Sequence, residues 1–248
     1  MDSEFNQIKK PPATLVSAVY GAAGTASTIL GSLSAARQNA RSVRDMLPSD
    51  FYEAINKLHA SNDTIDYYSP GKGIRQVLER LAVAHGIYEW LAPHDEAAAF
   101  YRLGRSLERM DLVSRLLNMH IETEWPEQGP ATTLRAVGGL STFLRYRIPM
   151  TPKNLRQFLV TDMTFPRSLL QSSTNSEAAI RDIGRMSSLN VDQVIRPIGL
   201  LKSRLMYLGD IPHEIEDVLQ QTIMSVAMTS VGVKDQFFRP LGSIVWSN

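Results

Sequence analysis

Cysteine is absent from the chain, and disulfides, thiolate metal sites and a cysteine nucleophile are excluded with it. That absence fits a reducing compartment, and a cytoplasmic location is the expectation. Charge of one sign is missing too: 26 Lys and Arg face 25 Asp and Glu, a net +1. The arginines are dispersed among acids, which gives no electrostatic footprint for nucleic acid. Long hydrophobic runs are scarce. The uncharged stretch from Thr14 to Ala36 has the length of a bilayer span, but its strong apolar residues are only Leu15, Val16, Val19, Ile29, Leu30 and Leu33. Close helix packing through small residues is expected there, with no membrane insertion, and no compact apolar core precedes Gly21 to make a signal peptide. None of the histidines (59, 85, 94, 120 and 213) has a Glu three residues before it. The Glu-x-x-His repeats of a di-iron bundle are therefore missing, and neither a metal nor another cofactor is expected. Gly71-Lys72-Gly73 lacks the Walker spacing and a preceding strand, and reads as a turn. Gly21-Ala22-Ala23-Gly24 is similarly weak as a phosphate loop.

The 248 residues, 44% hydrophobic and 21% charged, suffice for one large domain or two small ones. Apolar residues recur at three- and four-residue steps nearly throughout. Helices are expected over about 27–47, 51–60, 74–91, 95–121, 132–146 and 152–160, then from 175 or 176 onward, over 191–208 and over 212–237. Ile74, Val77, Leu78, Leu81, Val83, Ala84, Ile87 and Trp90 make 74–91 a well-buried helix in this reading. Thr164-Phe165-Pro166 reads as a cap with proline at the first helical position, and Pro197 should kink or shorten its helix. Trp125 to Pro130 is the clearest break, serving equally as a domain boundary or a loop within one bundle. No strand ladder is credible. The expected class is all-α, a multi-helix bundle over 25–240, with a flexible or partly helical lead over 1–24 and a tail over 241–248.

The chain is organised around Phe100 to Ile121. Leu103, Leu107, Met110, Leu117 and Ile121 form one apolar stripe. A second stripe carries Gly104, Arg105, Glu108, Asp111 and Arg115, and beyond it Tyr101, Leu112, Leu116 and Met119 turn apolar again. An ordinary surface helix has one oily face and one wet one, so charges between two oily sectors are expected inside, with Arg102, Ser106 and Arg109 on the wet side. Buried charges need partners. Asp111 and Arg115 supply an i,i+4 pair, Arg105 and Glu108 an i,i+3 pair. Arg37, Arg41 and Arg44 line one side of the helix over 27–47, expected to lie beside this one. Their surplus positive charge suits a carboxylate or phosphate through bidentate guanidinium contacts.

These residues resemble the bacterial alpha-E domain family. Its Gly-Arg-x-x-Glu-Arg-x-acid-x-x-x-Arg-Leu-Leu helix is matched by Gly104, Arg105, Glu108, Arg109, Asp111, Arg115, Leu116 and Leu117. Its Ala-Arg-x-Asn-Ala-Arg-x-x-Arg-Asp segment is matched by Ala36, Arg37, Asn39, Ala40, Arg41, Arg44 and Asp45, and its Phe-Pro-Arg-Ser helix start by Phe165, Pro166, Arg167 and Ser168. The resemblance spans about 25–237. Family members usually begin with an earlier helix of similar Arg-x-x-Glu-Arg pattern, which this chain lacks, so a fragment, a C-terminal piece or a diverged short member is expected. The resemblance implies a helical module without an assigned reaction, in the genetic company of ATP-grasp amide ligases and transglutaminase-like proteins. A protein partner of the ATP-grasp type follows, in peptide formation or modification, and self-association stays open.

Two functional readings result. In one, the chain is an accessory module without catalysis of its own, its charge network being Glu108, Arg109 and Asp111 with Asn39. In the other, an enzyme or small-ligand binder uses a buried Arg/Glu/Asp pocket for an anionic substrate, with Arg37, Arg41, Arg44, Arg105, Arg115 and Arg167 as anion-binding candidates. Arg167 enters through the free backbone N–H groups of a proline-started helix. No catalytic residue is assigned in either, since no nucleophile accompanies Glu108 and Asp111.

Overall fold

The computed structural model describes residues 19, 21, 28–60, 70–125, 127–208 and 212–238. Every regular element among them is helical, and no strand occurs among the described residues. Most of the lead over 1–24 and the tail over 241–248 lie outside them, as do most residues of Thr14 to Ser27. The contacts divide the chain into two compact units, Met1–Pro93 and His94–Asn248.

The first unit contains α1 (Ile29–Ser42), a 3-10 turn (Arg44–Met46), α2 (Ser49–Ala60) and α3 (Pro70–Leu91). Thr28 caps α1 by accepting the Gly31 N–H at 3.1 Å. The α2 helix packs against both others, with Leu33, Phe51, Leu58, Val77, Ala84 and Tyr88 buried. Phe51 and Tyr88 meet edge to face, centroids 4.9 Å apart. The expectation of a well-buried helix over 74–91 fails. Only the stripe through Val77, Ala84 and Tyr88 is covered, while Leu78, Val83 and Trp90 (89%) are exposed. All-round apolarity misleads here because, among the described helices, α2 is the one that packs closely on α3 and it reaches one side. Nor do Gly71-Lys72-Gly73 form a free turn: Pro70 opens α3 and the three lie in its first turn.

The second unit contains α4 (Glu96–Asn118), α5 (Ile121–Glu124), α6 (Gly129–Ala136), α7 (Leu140–Arg145), α8 (Pro152–Thr161), α9 (Leu169–Ser187), α10 (Asp192–Met206) and α11 (Pro212–Phe237). Asp95 caps α4 through the Ala98 N–H at 2.9 Å. Helices α9 and α11 pack on α4, and α10 packs on both α9 and α11. The core runs through Met110, Leu117, Leu134, Phe143, Leu159 and Ile198, all fully enclosed, each stabilising the fold by about 1.5–3 kcal/mol.

Several sequence boundaries move. Trp125 to Pro130 lies inside this unit. The single helix expected over 132–146 is two, because Gly138 adopts φ +67° and ends α6. A Cβ at Gly139 would sit 3.0 Å from Phe165 and 3.2 Å from Phe158, so the glycine pair lets two phenylalanines close over the break. Pro166 does not start a helix. Asp162 Oδ1 accepts from the backbone of Thr164 and Phe165 at 2.7 and 2.8 Å and folds 162–168 into a turn. The cap is Ser168, whose hydroxyl accepts the Gln171 N–H at 3.0 Å. Asn175 and Ser176 consequently lie within α9. Helix α10 carries Pro197 without interruption.

Candidate functional site

In α4 the buried residues are Ala98, Ala99, Leu103, Ser106, Leu107, Met110, Val113, Ser114 and Leu117, and all but Ala98 fall in one arc about 120° wide at ~100° per residue. The charged stripe lies opposite. Gly104, Glu108 and Arg115 are exposed, Arg105 and Asp111 half-buried, which corrects the expectation of an interior charge network. Leu112 and Met119, taken as a second oily face, are exposed at 57% and 61%, and Ser106, assigned to the wet face, is buried. Small size accounts for the inversion: serines admit close helix approach, and on α9 the buried Ser173 and Ser176 donate to the carbonyls of Leu170 and Ser172 within their own helix. Arg102 leaves the edge of the arc to pair with Asp182 of α9 at 2.9 Å.

On the outward face Arg115 Nε donates to Asp111 Oδ2 at 2.6 Å. That bond, then the Asp111 and Glu108 charges, hold the Arg115 guanidinium above its ordinary range. Arg105 lies over the Tyr101 ring, 5.5 Å from its centroid. Arg109 is half-buried. With these groups at the surface, the buried Arg/Glu/Asp pocket of the enzyme reading has no counterpart in α4.

Interior charge sits elsewhere. Arg156 of α8 donates through Nε to Glu122 Oε1 at 2.7 Å, where Glu122 is wholly buried and the Arg156 side chain 10% exposed. Arg156 Nη2 lies 2.6 Å from His120 Nδ1. A guanidinium only donates, so Nδ1 is the accepting atom of that contact. His120 takes φ +51°, turning the chain from α4 into α5 and swinging Glu122 inward. Glu122 Oε2 has no hydrogen-bond partner. Sequence reasoning missed this pair; the short Ile121–Glu124 helix carries no periodicity, and 34 positions separate Glu122 from Arg156.

The arginines of the first unit do converge, in part. Arg37 and Arg41, one turn apart on α1, line a cleft of about 590 Å³ with Ser34, Gln38, Ser42 and His59. Arg37 Nε donates to Asn56 Oδ1 at 2.9 Å, and Asn56 is itself fixed to the Tyr52 carbonyl at 3.1 Å. His59 Nε2 is 3.4 Å from Ser34 Oγ. Arg44 is not among the lining residues: α1 ends at Ser42, and in the 3-10 turn Arg44 stacks over Tyr52, 5.0 Å from the centroid. Asn39 is exposed, its carbonyl accepting the Ser42 hydroxyl at 2.7 Å. Arg167 donates to the Val137 carbonyl at 2.9 Å and closes the end of α6, so it does not offer a helix N-terminus to an anion.

Near the turn into α9, a recess of about 460 Å³ is lined by Tyr146, Asn154, Gln157, Thr161 and Asp162 among others. Burial raises the Asp162 carboxyl, but hydrogen bonds from Tyr146, Thr164 and two backbone N–H groups outweigh it and hold the carboxyl below its ordinary range. Those bonds serve the turn. Among the described residues no group of three or more His, Asp or Glu is placed to hold a metal, and no helix is long and apolar enough to cross a membrane.

No curated protein and no solved structure matches the chain. One family model does, over residues 2–238: Alpha-E, described as a predicted alpha-helical domain with a conserved ER motif. The chain carries a Glu-Arg dipeptide at Glu79-Arg80 on α3 and another at Glu108-Arg109 on α4, the latter within the Gly-Arg-x-x-Glu-Arg pattern. A match across nearly the whole sequence, over chain that is helical wherever it is regular, establishes that this protein belongs to the Alpha-E domain family.

Proposed function

We propose that this chain is a cytoplasmic helical accessory module of a peptide-forming or peptide-modifying system, without catalysis of its own, whose partner is an ATP-grasp-type amide ligase. Its ligand contact is the α1–α2 cleft, which receives an anionic group, carboxylate or phosphate. The observation that carries the reading is the convergence of Arg37 and Arg41 with His59 in one polar cleft. Asn56 holds Arg37 by Nε, which leaves the two terminal nitrogens of a pre-oriented fork for a bidentate oxyanion. A Lys pair would lack that planarity. The alpha-E resemblance supplies the partner class, since its family keeps company with ATP-grasp ligases.

Calorimetric titration of the whole chain with inorganic phosphate, and separately with a short peptide bearing a free C-terminal carboxylate, tests the cleft. Saturable binding of one of them, weakened at least about tenfold by Arg37→Ala with Arg41→Ala, is the expected result. No binding of either probe defeats the cleft. Co-purification with the products of the flanking genes tests the partner, and failure to recover an ATP-grasp-type ligase defeats that half alone.

A further inference from the structure

Helix α11 is apolar on two sides. Val218, Leu219, Thr222, Ser225, Val226 and Thr229 are buried, an arc about 120° wide at ~100° per residue. Diametrically opposite run Glu216, Gln220, Met224, Ala227, Val231 and Lys234. All six are exposed, Met224 at 64% and Val231 at 58%. Among the described residues no hydrogen bond or ion pair engages the side chains of Glu216, Gln220 or Lys234. A helix face that met only water would be polar along its midline. This one is apolar in the middle and charged only at its two ends. From Gln220 onward its residues alternate steps of four and three, the spacing of a coiled-coil seam that packs against another helix. Two antiparallel copies of α11, with the two-fold axis between positions 225 and 226, set Met224 opposite Ala227 of the other copy and Gln220 opposite Val231. Lys234 then falls beside Glu216. Each contact occurs twice, as an isologous interface requires.

We propose that the outward face of α11 joins two copies of the chain, packed antiparallel in this register. The occupant is a second copy because the stripe complements itself when reversed: its acid lies at one end, its base at the other. The same register lays the flexible Met224 side chain over the small Ala227. A parallel pair would instead set Glu216 against Glu216 and Lys234 against Lys234. One helix face buries little area, so the association is reversible.

Sedimentation of the full chain across a concentration series tests this. A dimer that dissociates on dilution is expected. Glu216→Lys and Lys234→Glu each place like charges at two symmetric points, so each should weaken the dimer at least about tenfold. Mixing the two variants, or combining both changes in one chain, should restore it. Ala227→Arg puts a long charged side chain at the centre of the seam and should abolish the dimer. Circular dichroism checks that every variant keeps the native helicity, as substitutions at exposed positions should. A monomer at every concentration, or a dimer indifferent to both charge reversals and to Ala227→Arg, overturns the proposal.

Discussion

Glu177 of α9 accepts from Lys202 Nζ and Arg181 Nη2, each at 2.7 Å. The Lys202 bond first, then the Arg181 bond, hold its carboxyl below its ordinary range. A carboxyl depressed in the folded chain contributes stability at pH values above its unfolded value, and that contribution is lost as pH falls through the folded one. Glu177→Gln should therefore cost about 1 kcal/mol at neutral pH, measured by urea unfolding, and the gap to the native chain should close under acid, below about pH 4.5. At Gly138 the backbone is at φ +67° and a Cβ would stand 3.1 Å from Arg167 Nη1. Gly138→Ala should cost about 1–3 kcal/mol in the same assay. Gly104→Ala, where an added Cβ meets no described atom within 4 Å, should instead gain about 0.5–1 kcal/mol. Equal effects at the two glycines would contradict the φ argument. Neither position was distinguishable in sequence, where Gly138-Gly139 passed as tolerated helix and Gly104 as part of a buried stripe.

Among the elements, α4 was legible in extent and illegible in orientation. Its ends followed from Asp95 and from the run of apolar steps, and α2, α8, α10 and α11 came within a few residues for the same reason. Facing was misjudged because Ser106 and Ser114 look polar by type and are small by volume, and volume decides which side α9 can approach. A similar confusion hid the start of α9. Phe165-Pro166-Arg167-Ser168 invites proline as the first helical residue, whereas Asp162 winds the turn and Ser168 carries the cap. Ser168→Ala should cost about 1–2 kcal/mol by thermal or chemical unfolding. Ser176→Ala, a substitution inside the same helix, should cost clearly less. A reversed order would restore the proline-started helix.

At the scale of the whole molecule, all-helical class and family were readable from pattern and motif, and both stand. Arg37 and Arg41 share a cleft, a pairing readable because i,i+4 spacing on one helix needs no tertiary knowledge, while Arg44 falls past the helix end. The interior ion pair was not readable at all, since Glu122 and Arg156 meet only after His120 turns the chain and α8 folds back. Glu108 is exposed on α4, and the charge pair enclosed among the described residues is Glu122 with Arg156. Equilibrium unfolding of Glu108→Gln and Glu122→Gln tests this arrangement. A loss of less than about 0.5 kcal/mol is expected for Glu108→Gln and of about 3 kcal/mol for Glu122→Gln; a large loss at Glu108 with little at Glu122 would contradict that placement of the charges.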